Sequence, residues 1–341
     1  MGGDAVAYAI SGQERCLALS VDSNLLEMRG VAIGDASAEG DLVAAVVLTW
    51  SSRSEDSYEL FRRASSAALR ENRVHLAVAA LERLAHHAIL FGDVPIAQSA
   101  INDAVALATV RRQSEWAQRA LASASRLAFD VGESQEALRL MELAIAENPS
   151  VPPVACAPLA VQLAIERGDD AAVGLWSGPA VIEAALHGTQ LPDAAAATVA
   201  MLIAGAHGHP HRRIATAVRR LLLAVTDPSN LPEMFTTIAK YGDPEQAHYG
   251  LKLFAACVAS DRVYVRAHRL LAQAYLAFRC GRYAECSDTA GEAARAFSTM
   301  GLRRWTDDSM ALLVRHSTKP SNRGIHPSLT RREEQIASLV R

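Results

Sequence analysis

Lysine, aromatic residues and long apolar runs are all scarce in this chain of 341 residues. Three lysines stand against 31 arginines, and aromatic residues make up 5% of a sequence that is 50% hydrophobic. Alanine and leucine therefore supply most of the apolar content, which disfavours an all-β sandwich or barrel. The same apolar content is too high for a disordered chain.

The sequence also lacks features of membrane, secreted and whole-chain nucleic-acid-binding proteins. Its longest apolar run, 42–50, is well short of the roughly 18 residues that cross a bilayer, and residues 1–16 lack the basic and apolar regions of a secretory signal. The net charge of −3 excludes a generally basic chain. The cysteines form no CxxC pair, so we expect reduced thiols in a cytoplasmic protein with no membrane contact. They are Cys16, Cys156, Cys257, Cys280 and Cys286.

One pattern recurs through the middle of the chain at intervals of 34 to 40 residues. Each copy has an Ala/Leu-rich segment that ends at a glycine, followed by a small residue five places later. A degenerate copy is centred on Gly208. The other copies are Gly92 with Ala97, Gly132 with Ala137, Gly168 with Val173, Gly242 with Ala247, and Gly281 with Cys286.

This pattern predicts helical hairpins. A glycine ends the first helix because the residue after a helix commonly takes the left-handed conformation, which a Cβ atom disfavours. The small residue then lets the second helix approach the first closely. Each hairpin exposes an apolar face, so hairpins must stack on one another. We therefore predict an all-α fold, a right-handed solenoid of stacked tetratricopeptide-like hairpins over residues 57–314. The last unit, with Ala272 and Tyr275 before Gly281, is most similar to a tetratricopeptide repeat.

The two ends of the chain differ from the repeat and from each other. Residues 1–56 carry an excess of acidic residues and form an N-terminal helical segment, either a further degenerate repeat or the remnant of an upstream domain. Residues 315–328 contain two prolines and a glycine among polar residues, which indicates a linker. From residue 303 to 341 there are eight basic and four acidic residues, so the tail is basic.

Residues 329–341 begin with a capping box and continue as an amphipathic helix. Thr330 and Glu333 have the spacing with which each side chain caps the other's backbone N–H. The segment LTRREEQIASLV resembles the first helix of LuxR-type helix-turn-helix domains, although Ala337 stands where that family usually has leucine. The residues that fit are Leu329, Thr330, Arg332, Glu333, Gln335, Ile336, Leu339 and Val340.

The order of repeat, linker and terminal helix resembles the large LuxR-family regulators of the MalT-like type. The resemblance implies a signal-responsive transcription regulator, whose helical array binds an effector or a protein partner and controls a C-terminal DNA-binding domain. It implies DNA contact only through a helix-turn-helix completed beyond Arg341, and it is compatible with a homo-oligomer. The alternative is a free-standing tetratricopeptide-like scaffold for protein–protein interaction, in which the terminal motif is fortuitous.

The sequence offers no pattern for catalysis or for cofactor binding. It contains no GxxxxGK[ST] loop, no GxGxxG fingerprint and no GxSxG elbow, so we expect neither an enzyme nor a bound cofactor. His207, His209 and His211 have the spacing of a metal-binding segment, but the preferred interpretation is a hairpin loop. The acidic pairs 169–170 and 307–308 are interpreted as helix caps.

Further side chains have structural and functional interpretations. We expect one of His86 and His87 to face the core and the other the groove. Cys280 and Cys286 are interpreted as small packing positions, with redox sensing as the alternative. The larger aromatic residues are expected to pack between hairpins rather than to line an effector surface. They are Trp116, Trp176, Trp305, Tyr241, Tyr249, Tyr275 and Tyr283.

Overall fold

The computed structural model confirms an all-helical protein. The structure describes residues 54–149, 154–187, 191–225, 231–256 and 262–317, together with Ala38, Asp41 and Ala45. Regular structure within these ranges is helical, and no strand occurs in them. The predicted linker 315–328 extends past this part of the chain, as does nearly all of the 1–56 segment.

Where the structure describes the connections, short turns join successive helices, and within the described ranges one 3-10 turn, Val154–Cys156, precedes α6. The helices are α1 (Ser54–Arg70), α2 (Val74–Phe91), α3 (Val94–Val110), α4 (Ser114–Asp130), α5 (Ser134–Glu147), α6 (Ala157–Arg167), α7 (Asp170–Trp176), α8 (Pro179–His187), α9 (Leu191–Ala206), α10 (Ile214–Ala224), α11 (Pro232–Tyr241), α12 (Pro244–Ala255), α13 (Val263–Arg279), α14 (Tyr283–Met300) and α15 (Arg303–Ser317).

The predicted turn glycines lie between the paired helices. Five of them, from Gly92 to Gly281, have positive φ, as the left-handed conformation after a helix requires. Gly242 is the exception, because its φ of −70° and ψ of 172° are extended. The turn after α11 is made instead by Asp243, whose carboxylate caps α12 by accepting from the Glu245 N–H at 2.9 Å.

The small residues five places after these glycines are buried, as the hairpin pattern predicts. Ala97, Ala137, Val173, Ala247 and Cys286 are each at most 1% exposed. A larger side chain at these positions would separate the two helices of its hairpin, since interiors are close-packed. Each copy of the sequence pattern therefore marks one place where two packed helices cross.

The first helices of the hairpins pack side by side as an inner row. This row consists of α2, α4, α6, α9, α11 and α13, and it is continued by α15. In the row α9 contacts α6 and α11, α13 contacts α11 and α15, and the 3-10 turn lies between α4 and α6. The end of the row also packs on its beginning, because α13 contacts α2 and α15 contacts α4. The inner row thus encloses the centre of the molecule.

Helix α2 is long and apolar enough to cross a membrane by length and composition alone. Such helices are weak support for a span, because a core helix passes the same test. More than half of α2 is buried inside the molecule. It packs against α1, α3 and α13, which accounts for its apolar composition.

The turn after α13 gives a direct test of the hairpin geometry. Gly281 has a φ of +72°, and a Cβ there would meet no atom within 4 Å, so only backbone strain opposes a side chain. We expect Gly281→Ala to lower the free energy of unfolding by about 1–2 kcal/mol, measured by denaturant titration. Gly291→Ala, inside α14 and equally unhindered, is the matched control. It should raise stability by about 0.5–1 kcal/mol. Equal effects at both positions would contradict this account.

Candidate functional site

A group of polar side chains joins four inner helices at the centre of the molecule. We call it the central cluster, and it consists of Arg126, Asp130, Glu233, Tyr264 and Trp305. Arg126 on α4 forms ion pairs with Asp130, at 3.2 Å, and with Glu233 on α11. The Tyr264 hydroxyl on α13 donates to Glu233, and the Trp305 indole N–H on α15 donates to Asp130 at 3.0 Å. The cluster therefore connects the two ends of the inner row.

The central cluster has one cationic group for two carboxylates. Burial raises the pKa of Asp130, since desolvation disfavours the charged form, and the adjacent Arg126 guanidinium opposes that rise. Burial also raises the pKa of Tyr264 well above its ordinary value, with the Glu233 charge adding to the effect. Tyr264 is thus held as a hydrogen-bond donor. Ion pairs and hydrogen bonds therefore hold the members of the cluster to one another.

His268 lies against the cluster in an aromatic environment. Its ring centre is 4.4 Å from that of Tyr264 and 4.5 Å from that of Trp305, and its Nδ1 lies 3.0 Å from the Thr236 hydroxyl. Among the described residues its Nε2 has no hydrogen-bond partner. Burial lowers the pKa of His268 well below its ordinary value, so the ring is neutral and packs as an aromatic group.

A cavity of about 190 Å³ lies on the other side of Trp305, between α6, α9, α11 and α15. We call it the central cavity. Its wall combines apolar and aromatic side chains with polar and charged ones. The residues that line the cavity include Ile165, Glu166, Ile203, His207, Lys240, Tyr241, Arg304, Trp305 and Asp308.

Two ion pairs cross the central cavity wall and connect α15 to other inner helices. Arg304 Nη1 lies 2.8 Å from a Glu166 oxygen, and Lys240 Nζ lies 2.7 Å from an Asp308 oxygen. All four side chains keep between 19% and 42% of their surface exposed, so a ligand can reach them. The Lys240 ammonium is also 5.1 Å from the Tyr241 ring centre. Charged groups of both signs therefore lie in the wall of the cavity.

The structure changes the interpretation of the aromatic residues. Trp305 and Tyr241 line the central cavity, whereas the sequence favoured packing between hairpins for the whole set. Tyr275 fits the packing interpretation, since it is 5% exposed, and Trp116 and Trp176 pack at the edge of the core. Spacing along the chain does not separate these roles, because the cavity is formed by helices distant in sequence.

The histidine-rich segment forms the turn between α9 and α10, as its preferred interpretation predicts. His207 is directed toward the central cavity, and its Nδ1 is hydrogen-bonded to the Ile203 carbonyl at 2.8 Å. His209 instead lies 3.4 Å from Asp170. Within the described ranges no group of three or more His, Cys, Asp or Glu residues could hold a metal ion.

The interpretation of both acidic pairs as helix caps is right for one and wrong for the other. Asp169 caps α7 by accepting from the Ala172 N–H at 2.9 Å. Asp307 and Asp308 lie inside α15, beyond its first turn, so neither caps it. Asp307 is exposed and Asp308 pairs with Lys240, a partner 68 residues away that local spacing cannot reveal.

The cysteine and histidine predictions are resolved by burial. Cys286 is fully buried, as a packing position should be, but Cys280 is exposed, so the packing interpretation is wrong there. His86 is exposed and His87 is 1% exposed, which confirms that one of the pair faces the core. Neither ring nitrogen of His87 has a hydrogen-bond partner among the described residues.

His87 is surrounded by aromatic rings. Those of Tyr58, Phe61 and Phe91 approach it edge-on, with centres 4.8 to 6.1 Å away. Burial lowers the pKa of His87 to about 3, and the nearby Arg262 and His86 add to this effect. The imidazole is therefore a neutral core group.

The predicted helix-turn-helix residues lie outside the described part of the chain. They are Leu329, Thr330, Arg332, Glu333, Ile336 and Leu339. Comparison with known proteins adds no assignment, because no protein-family model matches the chain and no curated protein matches it either. The site is therefore defined by its own geometry. It is a small, partly open cavity with a charged wall, formed by four helices of the inner row.

Removal of the Arg126 guanidinium tests the central cluster. Arg126→Met leaves Asp130 and Glu233 without their shared cation, so we expect a loss of about 3 kcal/mol in unfolding free energy at pH 8. Asp130→Asn keeps an acceptor for Trp305 and removes the excess negative charge. It should therefore lower the unfolding free energy clearly less than Arg126→Met does. Arg119→Met, which breaks the more exposed pair with Glu82, should cost less than about 1 kcal/mol. If Arg126→Met lowered the unfolding free energy no more than Arg119→Met does, the cluster would not hold the inner helices together.

Buried His87 predicts a specific loss of stability in acid. Its folded-state pKa lies below the unfolded value, so the unfolded chain binds the extra proton, and stability falls as the pH drops below about 6.5. Each pH unit below that point should cost about 1.4 kcal/mol from this residue until the pH nears its folded pKa. Denaturant titrations at pH 7.5 and 5.0 should show a smaller acid loss for His87→Leu than for the wild type. The exposed His248→Leu serves as the control. If His87→Leu lost as much stability in acid as the wild type, the assignment of His87 as a neutral, buried group would be refuted.

Proposed function

We propose that this chain is the sensing and interaction part of a LuxR-family transcription regulator. In this proposal its tetratricopeptide-like hairpins form a right-handed solenoid, and the inner side takes up an effector. Occupation of that site controls the C-terminal DNA-binding domain. The hairpin turns, the buried small residues after them and the side-by-side inner row support the repeat architecture.

The observation that carries the sensing role is the position of α15, which lines the cavity and also precedes the C-terminal segment in sequence. This helix places Arg304, Trp305 and Asp308 in the wall of the central cavity. The same helix leads directly into the linker and the segment that resembles a LuxR-type first helix. A molecule in the central cavity therefore acts on the helix nearest in sequence to the proposed output.

The contacts of α15 supply the differential interactions that such control requires. Three polar links tie α15 to distant helices, namely those from Trp305 to Asp130, from Arg304 to Glu166 and from Asp308 to Lys240. Two of the three are part of the cavity wall, so a polar ligand competes directly with them. A ligand shifts an equilibrium only by as much as its affinities for the two states differ. Competition for the α15 ion pairs is one source of that difference.

A cavity-filling variant tests the coupling without a known effector. Ile165 lies in the cavity wall on α6, so Ile165→Trp places an indole where a ligand would sit. We expect altered amide hydrogen exchange in α15 and in residues 318–341, measured by mass spectrometry on the full chain. Leu175→Trp is the matched control, because Leu175 is 73% exposed on the second helix of the same hairpin.

Unchanged exchange in both variants would remove the support for a sensing role. A free-standing scaffold, in which the array binds a partner without controlling the C-terminal segment, would then be favoured. Altered exchange in Leu175→Trp alone would place the coupled surface outside the cavity and would equally contradict the proposal.

A further inference from the structure

We propose that the central cavity binds a small zwitterion of the amino-acid type. Such a molecule carries one carboxylate, one ammonium group and a short apolar side chain. This inference rests on the proposed function, since the zwitterion would be the effector sensed by α15.

The charged side chains of the wall are balanced. Lys240 and Arg304 supply two positive charges, and Glu166 and Asp308 supply two negative ones. A ligand with net charge would leave an uncompensated charge in a partly enclosed site, which is costly. A ligand without charge would form hydrogen bonds to the four ionised groups but no ion pair with them. A zwitterion matches the wall, because each of its charges replaces a partner of the same sign in an existing ion pair.

The groups of the wall have donors and acceptors to spare. Lys240 carries three N–H donors and Arg304 five, and each forms one hydrogen bond to a carboxylate oxygen across the wall. Glu166 and Asp308 each have two oxygens with several acceptor positions, of which Asp308 also uses one for the Tyr275 hydroxyl. A ligand carboxylate can therefore bind the two cationic side chains, while its ammonium donates to the two acidic ones. In doing so the ligand competes with the two ion pairs for these groups.

The remainder of the wall is mixed, with Gln162, His207, Thr236 and Thr237 beside an apolar part that receives the side chain of the ligand. Ile165, Ile203 and the face of Trp305 form this part, with the Tyr241 ring beside it. The volume of about 190 Å³ corresponds to roughly six water-sized groups, and so to a molecule of about six to ten non-hydrogen atoms. Free alanine, valine and leucine fall in this range. Nucleotides, peptides and oligosaccharides do not.

Isothermal titration calorimetry on the full chain tests the class of ligand. The probes are the twenty free amino acids and two analogues of leucine, of which one lacks the carboxylate and the other lacks the ammonium group. Succinate and inorganic phosphate are the anionic probes. We expect binding of one or more small apolar amino acids, at least tenfold weaker binding of the matching analogues, and no binding of the anions.

Variants in the wall assign the binding to this cavity. Lys240→Met and Asp308→Asn should each weaken binding of the best amino acid at least tenfold. Lys252→Met and Asp307→Asn are matched controls on exposed residues of α12 and α15, and they should bind like the wild type. Arg304→Gln provides an independent variant if Lys240→Met does not fold, which circular dichroism would reveal.

Several outcomes would overturn the inference. Binding of phosphate or succinate more tightly than of any amino acid would replace the zwitterion with an anion. Absence of binding by all twenty amino acids, or equal binding by the wall variants and their controls, would reject the site. These failures leave the Ile165→Trp experiment and the proposed sensing role intact. Conversely, amino-acid binding that leaves the exchange of residues 318–341 unchanged would support the site and contradict the proposed function.

Discussion

The hydrogen bond from the Trp305 indole to Asp130 links the end of the inner row to its beginning. It joins α15 to α4, across 175 residues of sequence, and it lies beside the ion pairs of Arg126. Without this link the end of the inner row would have one contact fewer to its beginning. The same tryptophan forms the boundary between the buried central cluster and the central cavity, so the closure of the row and the shape of the site have a common origin.

The local part of the fold could be predicted from the sequence. Turn glycines and the small residues after them report on single helix crossings, and these depend on residues close together in the chain. Gly92 with Ala97 and Gly281 with Cys286 are accordingly as the repeat predicts. Gly242 shows the limit of the rule, because the neighbouring Asp243 caps the next helix and no left-handed residue is needed there.

The site could not be predicted because its members are distant in sequence. Arg126 pairs with Glu233 across 107 residues, and Lys240 pairs with Asp308 across 68. A repeat pattern indicates which face of each helix is buried, but not which distant helix that face meets. Trp305 and Asp308 illustrate this, since one was interpreted as packing between hairpins and the other as a cap. The terminal helix-turn-helix resemblance is a separate, local signal and stays a prediction.

The contacts of α13 with α2 and of α15 with α4 have a consequence for how the array folds and varies. In an open array each repeat touches only its neighbours, so units are gained or lost with little effect on the others. A row whose end packs on its beginning has a fixed number of members, since inserting one hairpin would move the end away from its partner. Its long-range contacts also raise the contact order, which slows folding. We therefore expect the described helices to unfold as one cooperative unit and not as a chain of independent modules.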